Sequence, residues 1–156
     1  MSAVAVLDSD QLLQHLQGHR RLTRRTIERF PAEAFETFSV GGMRPFGVIT
    51  RELLAMAGPF VKAFATDDWG QWDEDRSPIA RDAALAAWDE NTAMIDEHWP
   101  GLVAKGFTRE LTIFGQWPGT VQQHLFYVID NEVHHRAQGF AYLRALGVEP
   151  PFFWER

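Results

Sequence analysis

Cysteine is absent from the 156-residue chain. That excludes disulfides, thiolate zinc sites and a cysteine nucleophile together. Surplus basic charge is also lacking, since 15 Lys and Arg stand against 21 Asp and Glu, for a net charge of −6. Phosphate backbones select basic surfaces, so the composition argues against a nucleic-acid partner. No stretch approaches the ~18 apolar residues that a membrane span requires. The opening "MSAVAVLDSDQLLQHL" has neither the basic start nor the long apolar run of a secretory signal. Together these absences predict a cytoplasmic protein. Motifs for covalent and phosphate chemistry are missing too: there is no G-x-S-x-G, and "GQWPGT" lacks the spacing and lysine of a phosphate loop.

What is present is apolar and aromatic. Hydrophobic residues make up 46%, with six Trp and twelve Phe, which is ample for one packed core. We therefore expect a single domain over 1–156. The basic cluster Arg20, Arg21, Arg24 and Arg25 in "HRRLTRR" reads as the wet face of an amphipathic helix.

Periodicity predicts four long helices and an all-α fold, a four-helix bundle. In the first, Asp8 or Ser9 caps, and Leu12, Leu13, Leu16, Leu22, Ile27 and Phe30 supply the spacing before Pro31. The second begins near Pro45 and carries Phe46, Ile49, Leu53, Met56 and Phe60, with a kink or early end expected at Gly58-Pro59. The acidic stretch "TDDWGQWDEDRSP" reads as a loop. Ser77-Pro78 opens the third helix, which runs to about Trp99 before Pro100-Gly101. "FTRELTIFGQWPG" reads as a short extended piece. The fourth helix starts near Pro118 and ends at Gly147, just ahead of Pro150-Pro151.

On a helical wheel, Glu132 and Arg136 fall among the core positions Val121, Leu125, Val128, Gly139, Leu143 and Leu146. A buried charge needs a partner, and Glu132 precedes Arg136 by four residues. They are expected to form a structural ion pair, with room for a third group from another helix. Asn131 and His135 lie at the edge of the same arc, one turn apart, a spacing that lets two side chains close on one metal ion. His134 points outward. His124 aligns with His135 in angle, but eleven residues place it about 16 Å away, so it lines a cavity at most, with Met56 as a second lining candidate. Glu52 borders the apolar arc of the second helix. It either reaches out to water or faces an inward ligand on the fourth helix. The six tryptophans, Trp69, Trp72, Trp88, Trp99, Trp117 and Trp154, could wall a pocket, although helically spaced aromatics more often build core or interface.

"HHRAQGFAYLRALGVEPP" and "RPFGVITRELL" resemble two segments of the DinB-like superfamily, named for damage-inducible bacterial proteins. Members often read HExHHRGQ followed by YLR-x-LG and a double proline, and F-G-x-x-x-x-H on the second helix. The likeness follows the whole chain in order. It implies an up-down-down-up four-helix bundle, frequently a homodimer, with a role in stress response. It further implies a divalent metal held by three histidines, at positions that correspond here to Glu52, Asn131 and His135. Only one of those three is histidine. Oxygen donors move the preference from zinc or nickel toward harder ions such as manganese or magnesium. The alternative is a degenerate site in which the three side chains hydrogen-bond to one another and to water. The family contains metal-dependent transferases that use low-molecular-weight thiols, and related hydrolases. The resemblance thus implies either an enzyme acting on a small molecule or a non-catalytic dimeric bundle.

Overall fold

A computed structural model describes residues 7–71 and 75–156. The chain is mostly helical: α1 (Ser9–Arg29), α2 (Ala32–Thr37), α3 (Phe46–Thr66), α4 (Arg81–Lys105) and α5 (Val121–Ala145), with β1 (Glu110–Ile113) and β2 (Trp117–Thr120) between α4 and α5. The "extended piece" is an antiparallel hairpin in which Leu111 faces Gly119 and Thr112 faces Pro118. The acidic loop lies between α3 and α4, and its Trp72 falls outside the described residues.

Local chemistry sets the helix starts. Asp8 and Gln11 form a reciprocal capping box at α1, with the Gln11 amide donating to Asp8 Oδ1 at 2.8 Å. Thr120 and Gln123 do the same for α5. That box corrects the expected start near Pro118, because Pro118 belongs to β2 and the helix begins only after Thr120. Ser77-Pro78 does not open α4 either. The Ser77 N–H donates to Asp75 at 2.8 Å and its carbonyl accepts from Arg51 at 3.0 Å, which holds this segment outside the helix. The short α2 had no periodic signature, and its one anchor is Phe35, fully buried between Phe30 and Phe46.

Pro100, expected to follow the end of its helix, lies inside α4, and Pro59, where a kink or early end is expected, lies inside α3. The α3 break is bridged from outside. Asn91 of α4 accepts the Gly58 N–H at 2.9 Å and donates to the Leu54 carbonyl at 2.9 Å. One side chain thus takes both halves of an opened backbone rung. Beyond Pro100, α4 continues because Leu102 is fully buried, and it stops at Gly106 with φ +90°.

The four long helices pack as a ring, with α1 against α4 and α5, and α3 against α4 and α5. Gln17, Arg20 and Arg24 of α1 meet Asp96, Thr92 and Asp89 of α4 in reverse order. Glu52 and Met56 of α3 likewise meet His135 and Asn131 of α5 in reverse order. Two apolar clusters fill the interior. One gathers Leu16, Phe60, Phe64, Trp99 and Leu125 at the hairpin end; the other gathers Ile27, Phe30, Phe46, Trp88 and Tyr142.

Between the clusters runs a buried polar layer. Glu132 is 1% exposed, accepts from the Thr23 hydroxyl at 2.6 Å, and lies 3.7 Å from Arg20 and 3.9 Å from Arg136. Burial pushes the Glu132 carboxyl up, against Arg20, Thr23 and Arg136. Arg20 is the third group that the ion pair left room for, and it corrects the wet-face reading of the basic cluster. Its guanidinium is 1% exposed and sits 4.2 Å over the Trp88 ring. Arg21 alone of the four is exposed, and Arg24 and Arg25 are half-buried.

Candidate metal centre

Glu52 projects from the second turn of α3, and Asn131 and His135 from the middle of α5. The two helices approach closely at Gly139. A Cβ there would lie 2.6 Å from the Phe46 ring, so only glycine permits the contact. Above it, the Tyr142 hydroxyl donates to the Arg44 carbonyl at 3.0 Å and ties the loop before α3 to α5. These contacts bring the Glu52 carboxylate onto α5.

Glu52 Oε1 lies 3.2 Å from His135 Nε2, and Glu52 Oε2 accepts from Arg44 Nη1 at 2.5 Å. His135 Nδ1 is 3.3 Å from Gln138 Oε1, while Gln138 Nε2 is 3.1 Å from His134 Nε2. With Gln138 in this orientation its oxygen accepts from a proton on His135 Nδ1. A hydrogen bond from Nε2 to Glu52 needs a proton on that nitrogen as well, and a cation between Nε2 and Glu52 would take that proton's place. Each of the two facing donors therefore has its far atom engaged by an outer partner, as ligands of a metal usually do. The Glu52 carboxyl is held down to about 2, first by its hydrogen bond to His135 and then by Arg44, with burial opposing. It is ionised at neutral pH and available as an oxygen ligand.

The spacing suits a shared ion. A cation about 2.1 Å from both atoms separates its two donors by about 3.0 Å at a right angle and about 3.4 Å at the tetrahedral angle. The observed 3.2 Å falls between. Asn131 is adjacent but turned to another partner, with its amide Nδ2 3.3 Å from Met56 Sδ. Its oxygen is the atom left for a third ligand. Among the described residues no three His, Cys, Asp or Glu side chains gather at one point, so Glu52 and His135 are two such donors and not three.

Other predicted residues lie elsewhere. His124 is buried, stacks on Phe64 with ring centroids 6.3 Å apart, and leaves Nε2 without a hydrogen-bond partner beneath Gly119. It belongs to the hairpin end and not to the Glu52–His135 pair. Trp88 and Trp99 are core, Trp69 packs against Phe60 and Phe64, and Trp117 and Trp154 are exposed. They do not share one pocket. Sequence reasoning missed Arg44 and Gln138. Gln138 is readable after the fact, being i+3 from His135 and i+4 from His134 on one helix. Arg44 lies in a loop and carried no signal.

Two solved structures share this fold. A DinB-like protein from Bacillus subtilis superposes with a TM-score of 0.72 at 19% identity, covering 94% of this chain and 99% of its own. A DinB-like protein from Bacillus cereus superposes with a TM-score of 0.75 at 15% identity, covering 93% of this chain and 97% of its own. No curated protein matches the sequence. The sequence profile of the DinB family matches residues 1–155. With the two-segment motif, the helical ring and that match agreeing along the same chain, the protein belongs to the DinB family.

Proposed function

We propose that this protein binds a divalent metal through Glu52, His135 and Asn131 and acts on a small molecule as a metal-dependent transferase or hydrolase. The observation that carries the reading is the 3.2 Å approach of Glu52 Oε1 and His135 Nε2, with Arg44 and Gln138 behind them. A bound divalent ion supplies the acidification of a coordinated thiol or water for attack on an electrophile. The ion is zinc, nickel or manganese, and two oxygen donors beside one imidazole shift the preference toward the harder manganese relative to three imidazoles. The protein's own part is to hold an ionised carboxylate and an imidazole against each other, both largely buried, between α3 and α5. A low-molecular-weight thiol is the co-substrate that we assign by analogy with the family.

The fold proposed to carry this site is a single-domain four-helix bundle of up-down-down-up topology. The reversed pairing of α1 with α4 and of α3 with α5 supports it. We further propose a cytoplasmic homodimer. Among the described residues no helix is long and apolar enough to cross a membrane. Phe152, Phe153 and Trp154 stand 53%, 62% and 62% exposed, an apolar surface of the kind that subunits cover.

A second reading has its own observation. Arg44 already neutralises Glu52, and Asn131 is turned to Met56. Those contacts favour a non-catalytic bundle with a degenerate, self-satisfied site. Elemental analysis of untagged protein purified without chelator separates the two. The metal reading expects near-stoichiometric metal in the wild type, after manganese, nickel or zinc loading if necessary, and its loss in His135→Ala. No metal under any of these conditions leaves the structural bundle.

A further inference from the structure

We propose that Arg44 anchors an anion at the mouth of this site, so that the ligand it serves is a small carboxylate-bearing molecule whose other end reaches the metal. The inference rests on the metal-centre reading above and names the ligand class for that site. Three observations lead to it. Arg44 Nη1 is committed to Glu52 Oε2 at 2.5 Å, which fixes the guanidinium beside the two candidate ligands. The side chain is 41% exposed, and its Nε and Nη2 have no hydrogen-bond partner among the described residues. The Tyr142 hydroxyl holds the Arg44 carbonyl at 3.0 Å, so the guanidinium is presented from a pinned backbone although the loop before it turns through Gly41 and Gly42 at φ +60° and +77°.

A guanidinium has five N–H donors in a planar fork suited to carboxylate recognition. Here one edge serves the protein and the outer N–H groups face solvent. Among the described residues, Arg44 meets one carboxylate, that of Glu52, which His135 also contacts. In a chain of net charge −6, the outer N–H groups of Arg44 therefore offer cationic donors to an incoming ligand. A neutral substrate would leave those donors to water.

The test uses full-length protein loaded with cobalt(II), a spectroscopic ion, with loading measured first by calorimetry. Mercaptoacetate and 2-mercaptoethanol are then titrated while thiolate-to-cobalt absorption is followed. The two probes share a thiol and differ in bearing a carboxylate or a hydroxyl. Wild type is expected to bind mercaptoacetate about ten-fold or more tightly than mercaptoethanol, the usual scale for a charged hydrogen bond. Arg44→Met should erase that preference, and Arg44→Lys should keep part of it. If Arg44→Met takes up too little cobalt, Arg44→Gln against Arg44→Lys makes the same comparison. Cobalt uptake with equal affinity for both thiols, or a preference that survives loss of the guanidinium, overturns the anchor and leaves the metal centre standing. Failure of wild type to take up cobalt overturns both.

Discussion

His19 shows how a single residue sets a pH limit on this fold. Its Nδ1 is 3.0 Å from Arg136 Nη2, its Nε2 is 3.3 Å from Arg156 Nη1, and His15 packs edge-on against it. Burial first, then Arg136, Arg156 and His15, lower it from 6.5 to about 4. The folded value lies below the unfolded one, so the fold prefers neutral imidazole. Its contribution to stability is complete above pH 6.5 and is lost as pH falls from 6.5 to about 4. Urea midpoints at pH 7 and pH 5 should therefore differ more in wild type than in His19→Gln. An equal difference in both proteins would remove His19 from the acid response. Glu52, held at about 2 against an ordinary 4.5, acts in a lower window, with stability lost as pH falls from 4.5 toward about 2. The two groups can thus be separated by pH alone.

At the scale of the element, α3 is a helix that its own sequence interrupts. Pro59 cannot donate to the carbonyl of Ala55, and the Gly58 N–H and Leu54 carbonyl are both met by Asn91. A Cβ on Gly58 would come within 2.8 Å of the Asn91 amide. Asn91→Ala should destabilise by about 1–3 kcal/mol, because it strands a buried donor and acceptor. Gly58→Ala should cost a similar amount, about 1–3 kcal/mol, by overpacking. In the double variant the clash is gone, so urea unfolding should give less than the sum of the two single effects. Strict additivity would mean that Asn91 does not splice the helix. Since Glu52 precedes the break and Phe60 follows it, this splice keeps both halves of α3 on the ring.

For the whole molecule the question is what covers its aromatic surface. Phe152 and Trp154 stack with ring centroids 4.8 Å apart and remain more than half exposed. Phe126 and Val133 stand 38% and 37% exposed one heptad apart on α5. If these faces form the homodimer contact, sedimentation of wild type should give twice the monomer mass, and Phe152→Ser with Trp154→Ser should give the monomer. A monomeric wild type at high concentration would refute the assembly. The interior invites no such doubt, because its two apolar clusters enclose Glu132, Arg20 and Arg136 with partners from α1 and α5.

Much of this was written in the chain. Apolar spacing placed the four long helices, Asp8 and Gly147 are visible end signals, and i,i+4 geometry set Glu132 with Arg136. Those are local periodicities, and local periodicity survives in a single sequence. The starts of α4 and α5 were misread because a proline at a first turn is a weak preference, whereas the Ser77 hydrogen bonds and the Thr120–Gln123 box are specific contacts. The burial of Arg20, the splice by Asn91, and the meeting of Arg44, Glu52 and His135 join residues 8 to 112 positions apart. Sequence by itself determined which faces were apolar and which residues were chemically able to bind a cation. Only the tertiary structure decided which of them meet, because that depends on how closely α3 and α5 approach at Gly139, and close approach is a property of packed pairs.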